Sequence, residues 1–374
     1  VKLAFFFVLN IKLTFVFRYF CRMKYDAGII GAGVAGSSMA IRLAAAGYRV
    51  LVFSQAHEQD SSRVAAGLLN PFAPRHLIPG WYGLEFAHEA HAFYNWLQKQ
   101  TGITFYNPSP IFRIFPNAHY RSDWQKRYAE YPEYLSPAMA AAPDPHIQAP
   151  LGGGILMHSG VADGSRFLQA AAQVYTDRIH VIRGKADYEQ LEFKDAAWHY
   201  GDVHFTHVLF CEGLAARENP HLKNLLLSPL KGDLLRVRMP GFDPKYIYQT
   251  RQFIVPDTEP GVFKTGSTYK LWDHSTEPLQ EDRDFLLEAL QDMYSGPYEI
   301  LQHQAGLRPS SYDRRPYAGA VPSLKQAWVL NGLGSKGYLM TPLLSRMLSD
   351  AILQGKPLWH ELNPARRKKG LPVN

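Results

Sequence analysis

An α/β fold, α+β overall, is what this 374-residue chain predicts: a parallel-sheet domain with a helical crossover, joined to a smaller antiparallel-sheet domain. Three observations predict it. A strand, a glycine-punctuated turn, a helix and a second strand follow one another between Tyr25 and Ser54. Two later stretches, 103–115 and 245–270, alternate apolar and polar side chains as half-buried strands do. The length is enough to bury a large core, and two lobes are expected sooner than one.

The opening unit reads Tyr-Asp-Ala-Gly-Ile-Ile-Gly-Ala-Gly-Val-Ala-Gly, a helical stretch, then Tyr-Arg-Val-Leu-Val-Phe-Ser. Each glycine has a mechanical reason. Gly31 allows a tight turn, Gly33 lets the backbone approach a pyrophosphate, and Gly36 lets the helix pack close to the strand. Amides opening the helix then face a phosphate with a favourable dipole. A lone Gly-x-Gly-x-x-Gly is weak evidence, and a glycine-rich linker is its plain alternative. Here the pattern runs on through Ala40, Leu43 and Gly47 into a β-branched strand, which a linker would not do. The unit is therefore a Rossmann-like dinucleotide site.

Further along, Ser61–Pro71 is rich in small residues and suits a path beneath a ligand. Residues 81–100 predict an amphipathic helix. Its His88-Glu89-Ala90-His91 has one residue too few for a zinc-protease motif, so satisfied or exposed helix histidines are expected and no metal. Pro, Ala and Gly enrich 130–153, a connection between lobes. Val161–Val174 predicts a turn and helix with Asp163 or Ser165 as N-cap. Strands follow at 181–182, 203–205 and 208–213, the last ending in a glycine suited to meeting the ligand again. A helix is expected at 282–294, a strand at 327–330, a glycine loop at 331–337, and a last helix to about Leu353.

Composition excludes several classes. A 46% hydrophobic and 20% charged chain is an ordinary globular protein, and two cysteines, Cys21 and Cys211, leave no disulfide framework or thiolate metal cluster. A reducing cytoplasm fits. The net charge of +7 sits at the ends: four cations precede Met23, four more are Arg366, Arg367, Lys368 and Lys369, and the body is left at −1. A solvated tail is the plain reading, and phosphate binding is its alternative. In residues 1–22, Lys12 interrupts the apolar run short of the ~20 residues a span needs, so no stable membrane insertion is expected. A miscalled or extended start is expected there, with a weak membrane anchor as the second reading.

Five separated segments, the glycine fingerprint, Ala65-Ala66-Gly67-Leu68, Phe210-Cys211-Glu212-Gly213, Gly306-Leu307-Arg308-Pro309 and Gly332 to Pro342, occur in this order. Together they resemble the D-amino-acid oxidase and glycine oxidase family of FAD-dependent oxidoreductases, over roughly residues 24–358. Gly334-Ser335-Lys336-Gly337, Asp313-Arg314-Arg315-Pro316 and Gly319-Ala320-Val321-Pro322 are most similar to one branch, the oxidase domain of the bifunctional MnmC tRNA-modification enzymes. The resemblance implies an FAD-binding domain in three pieces (23–92, 152–229 and 306–360) and a substrate domain in two (93–151 and 230–305). Residues 361–374 form a basic tail.

It further implies FAD contacts at Gly31, Ala32, Gly33, Val34, Ala35 and Gly36, at Ser54 and Gln55, and at Ser62, Ala65, Ala66, Gly67 and Leu68. The remaining contacts are Gly213, Leu333, Gly334, Ser335, Gly337 and Tyr338. Ser54 departs from the family, which usually has Glu or Asp for the ribose hydroxyls; a neutral contact is weaker by ~1 kcal/mol. No cysteine lies beyond Cys211, so FAD is expected to be non-covalent.

Amine oxidation removes hydride equivalents from the carbon next to nitrogen, and the flavin supplies that chemistry while the protein orients the substrate. The resemblance places the carboxylate-binding residue at Arg308, whose plain alternative is a structural ion pair or cap. It places the aromatic cover at Phe253 and Tyr269, with Tyr248 nearby; each alone is as readily plain core. The loop 332–337 and the last helix offer amides and a positive dipole, and Lys336 either adds charge there or points to solvent. The expected activity is oxidation of a small carboxylate-bearing amine or amino acid with oxygen as acceptor. Removal of a carboxymethyl group from a tRNA wobble uridine is the second reading, and a non-catalytic FAD-binding protein the third.

Overall fold

The computed structural model describes residues 24–55, 60–271, 273–322 and 324–366; the extension 1–22 and most of the basic tail lie outside these. Every residue of the strand Tyr25–Ile30 except Asp26 is buried, as a parallel strand covered on both faces requires. Parallel strands run in the order Ile179–Arg183, Val50–Ser54, Tyr25–Ile30, Val203–Phe210. The outer edge of Val203–Phe210 is shared. Its first residues pair antiparallel with Ala197–Tyr200, and its last three pair parallel with Ala327–Asn331.

The helices Val34–Ala45, Gly83–Thr101 and Gly337–Gln354 pack on one another beside this sheet. Glu89 joins all three: its carboxylate meets Arg42 at 2.6 Å and Arg346 at 3.0 Å. Pro342 sits inside the last helix and has no N–H, so the Tyr338 carbonyl four residues back loses its helical donor. The buried Tyr94 hydroxyl donates to that carbonyl at 2.6 Å. The proline is tolerated because a neighbouring helix replaces the bond it removes. The expected N-cap choice is also resolved: Asp163 accepts from the Arg166 amide at 2.8 Å and opens the helix Gly164–Ala171.

The second sheet runs Lys270–Leu271, Leu227–Arg238, Val262–Gly266, Phe253–Pro256, Ile247–Gln249, Ile111–Ile114, Gly153–Leu156, with Glu299–Ser311 on Leu227–Arg238. It is antiparallel except where Ile247–Gln249 runs parallel to Ile111–Ile114. The stretch 103–115 yields only Tyr106–Asn107 and Ile111–Ile114, because Pro108 and Pro110 remove ladder donors between them. Residues 130–153 do more than connect: Leu135, Met139 and Ile147 make isolated β-bridges. The expected helix at 282–294 lies at Gln280–Gln291. Sequence reading missed the helix Ala118–Glu130 and the two longest strands, Leu227–Arg238 and Glu299–Ser311. Those strands carry Pro229, Gly232, Gly306 and Pro309, all poor strand formers, and are held by each other: Pro229 lies opposite Pro309 and Gly232 opposite Gly306. No helix among the described residues is long and apolar enough to cross a membrane.

Tyr94→Phe should destabilise the protein by ~1–3 kcal/mol in urea unfolding, because the Tyr338 carbonyl is left buried and unpaired. Adding Pro342→Ala should recover most of that loss, since the new N–H replaces the missing donor.

Candidate functional site

The strand Tyr25–Ile30 ends at Gly31, whose φ of +100° is the conformation a side chain would resist. A Cβ there would also overlap the Cys211 carbonyl oxygen, and one on Gly36 would overlap the Gly31 carbonyl. Turn, helix and central strand therefore touch through bare backbone. Gly33 precedes the Val34–Ala45 helix without offering a side-chain cap. The Val34 amide donates instead to the Ser62 hydroxyl at 3.0 Å, which places Ser62 over the helix N-terminus. Val34 and Ala35 side chains are buried in the core, and the Ala32 carbonyl accepts from Ser37. Ser54 ends its strand half-buried with Arg183 as its register partner, and Gln55 is exposed.

The small-residue segment is fixed from two sides. Gly67 lies against the Ala162 carbonyl where a Cβ would overlap it, and Leu68 pairs with Val161. Ala65 and Ala66 pack at the margins of two core clusters. The buried Tyr338 hydroxyl donates to the Ser62 carbonyl at 2.6 Å. Cys211 is buried with its Cβ facing Gly36, and burial pushes its thiol pKa far up. Glu212 accepts from Tyr188 and, at 2.8 Å, from Asn219; burial, set against these bonds, pushes its carboxyl up to about 7. Gly213 follows with its carbonyl held by the Asn331 amide at 2.9 Å.

Gly332 and Gly334 both have positive φ, Leu333 joins the core, and Ser335 is exposed. Gly337 then begins the last helix, whose first turn has no side-chain cap. Of the two orientations open to Lys336, the structure has the inward one. Its Nζ lies 3.4 Å from the Asn70 carbonyl and 3.1 Å from where a Cβ of Gly80 would be, so that glycine makes room for it. No carboxylate among the described residues forms an ion pair with it, and burial pushes its pKa down to about 8. Asn70 also donates to Gln249 at 3.0 Å, tying this corner to the antiparallel sheet. Neither residue carries a sequence signal that could have been read.

Arg308 comes from the C-terminal part of Glu299–Ser311 and lies flat over Gly232, where a Cβ would overlap its guanidinium. Its Nη2 donates to the Ser267 hydroxyl at 2.8 Å, and Nη1 reaches the Thr268 and Lys231 carbonyls at 3.4 and 3.5 Å. None of these partners is a carboxylate. Burial lowers its pKa, with Tyr269 and then Asp233 opposing. Phe253 is half-buried opposite Gly266, the neighbour of Ser267, while Tyr269 is 52% exposed. Tyr248 is no part of this group: it is 1% exposed and packs on Phe112 and Phe242, because strand alternation turns it to the other face from Gln249. His91 is bonded through both ring nitrogens, to Tyr106 and to the His158 carbonyl.

The family model described as FAD dependent oxidoreductase (DAO) matches residues 26–351. The chain belongs to the DAO family. It is 26% identical over 386 residues to a glycine oxidase of Bacillus licheniformis, covering 94% of this chain and 99% of that one. It is 28% identical over 359 residues to the tRNA 5-methylaminomethyl-2-thiouridine biosynthesis bifunctional protein MnmC of Marinobacter nauticus, covering 87% of this chain but only 55% of that protein. A crystal structure of glycine oxidase from Geobacillus kaustophilus superposes with a TM-score of 0.78 at 19% identity, over 92% of this chain and 99% of that chain, which shows the shared fold.

FAD is the cofactor of the DAO family, and the residues present fit it. The glycine turn has no room for a side chain at Gly31 or Gly36, and neither the Val34–Ala45 helix nor the Gly337–Gln354 helix is closed by a side chain of its own N-cap residue. Gly36→Ala should therefore cost the protein its FAD, read as lost flavin absorbance after purification. Lys336 gives a pH test. Its folded-state pKa of about 8 lies below the unfolded 10.5, so the unfolded chain holds more protons between the two. Apoprotein stability should rise through that window, and Lys336→Met should abolish the rise.

Proposed function

We propose that this FAD-dependent oxidoreductase oxidises the C–N bond of a small amino acid or secondary amine bearing a carboxylate, with oxygen as the reoxidant. The observation that carries the reading is Arg308: a half-buried guanidinium held by neutral oxygens alone, so its charge is left for a ligand. FAD, when bound, supplies the acceptor for the hydride equivalents leaving the substrate carbon. The protein's part is orientation. Arg308 fixes the carboxylate, which places the adjacent carbon at a set distance from the guanidinium. Phe253 walls the inner side of that position and Tyr269 its mouth. With a pKa of about 8, Lys336 stays mainly a cation at neutral pH and adds positive charge beside the uncapped last helix. The same arrangement argues against a non-catalytic FAD-binding protein, which has no use for an arginine with unused donors.

A second reading is a wobble-uridine oxidase that removes a carboxymethyl group from tRNA, favoured by the 28% identity to MnmC. Arg308 serves both readings, because each substrate presents a carboxylate next to a secondary amine. The tail bears on the choice. Arg366 is built into the fold, bonded to Asp313 at 2.9 Å and set over Tyr317, so only the three cations after it are left for a polyanion.

Purified protein should release hydrogen peroxide with glycine or N-alkylglycines, and Arg308→Ala should raise KM roughly a hundredfold, as loss of a charge-assisted contact of ~3 kcal/mol predicts. An unchanged KM removes Arg308 from this role. If tRNA is the substrate, deleting residues 367–374 should weaken tRNA binding and flatten its salt dependence, and a deletion strain should show an altered wobble-nucleoside profile.

A further inference from the structure

Arg308 has five N–H donors, and the structure distributes them unevenly. Both Nη1 donors are engaged, by the Lys231 and Thr268 carbonyls, and one Nη2 donor is engaged by Ser267. The second Nη2 donor and Nε bond to no described residue. Nε and the Nη2 hydrogen beside it form one edge of the guanidinium, the edge that meets both oxygens of a carboxylate in a side-on fork. Which edge stays free is decided by Ser267 and Thr268, and these residues do not hold themselves.

Thr268 is clasped by Asp233. The Thr268 amide donates to the Asp233 carbonyl at 3.1 Å. Its hydroxyl accepts from the Asp233 amide at 2.8 Å and donates to the Asp233 carboxylate at 3.3 Å. Asp233 is wholly buried, and its other oxygen lies 3.0 Å from His303 Nε2. Asp233 belongs to the same strand as Gly232, on which the guanidinium lies. One strand thus sets the plane of Arg308 directly and its inner edge through Thr268.

We infer that Thr268 and Asp233 are positioning residues that hold Ser267 and the Thr268 carbonyl against the inner edge of Arg308, so that a substrate carboxylate is gripped side-on by Nε and Nη2. This rests on the reading of Arg308 as the carboxylate-binding residue. Without the Thr268 hydroxyl the Ser267–Thr268 segment shifts, the guanidinium turns in its plane, and the fork no longer meets the carboxylate squarely.

The test is acetate binding to the FAD-loaded enzyme, read from the perturbation of the flavin spectrum, with neutral acetamide as control. Thr268→Val should weaken acetate about tenfold, the scale of one misaligned charge-assisted bond. Acetamide affinity and FAD content should be unchanged, and Thr268→Ser, which keeps the hydroxyl, should restore acetate binding. Acetate bound as in the native enzyme by Thr268→Val, but lost in Arg308→Ala, overturns the positioning role while leaving the carboxylate reading intact. Acetate bound as in the native enzyme by Arg308→Ala overturns both. If Thr268→Val yields no folded protein, Ser267→Ala removes the Nη2 partner without touching the buried pair. The same weakening is then expected, and native-like affinity overturns the inference.

Discussion

The pairing of Leu227–Arg238 with Glu299–Ser311 is the constraint on which the rest of the site depends. It brings Arg308 over Gly232, sets Gly306 against Val64 of the small-residue segment, and carries Ser310 to a bridge with Leu333 of the final glycine loop. One ladder therefore registers Arg308 against both the small-residue segment and the final glycine loop. Two opposed glycines at its centre make room for protein groups: the Arg308 guanidinium lies over Gly232 and Val64 packs on Gly306.

Charge follows the same logic. Arg308 and Lys336 are each drawn partly out of water without an ion pair to a described carboxylate, although Asp233 lies near enough to hold the Arg308 pKa up against burial. Other cations are handled in both ways: Lys231 meets Asp273 at 3.2 Å and Arg42 meets Glu89 at 2.6 Å, while the buried Arg113 bonds to the Tyr120 hydroxyl and the Thr250 carbonyl.

The cofactor lobe was legible because its glycines act through contacts near in sequence: Gly31 and Gly36 are five residues apart and touch each other. Asp163 was legible for the same reason, as a cap acts over three residues. The substrate lobe resisted. Alternation marked 245–270 as strands but could not say which parity faced the site, and Tyr248 fell on the wrong side. The two longest strands were unreadable because their glycines and prolines are justified only by partners about 75 residues away. The direction of Lys336 depends on the absence of a side chain at Gly80, a contact no local pattern announces.

Cys211 lies beneath the glycine turn with its thiol buried and its carbonyl against Gly31. No reagent in solution reaches that sulfur while the turn is seated. Once Cys21 is replaced by serine, the pace at which a thiol label enters becomes a clock for local opening at the phosphate-binding corner. The chain thus carries its own reporter, and the slowing of that clock by FAD would measure, in free energy, how firmly the cofactor keeps its seat shut.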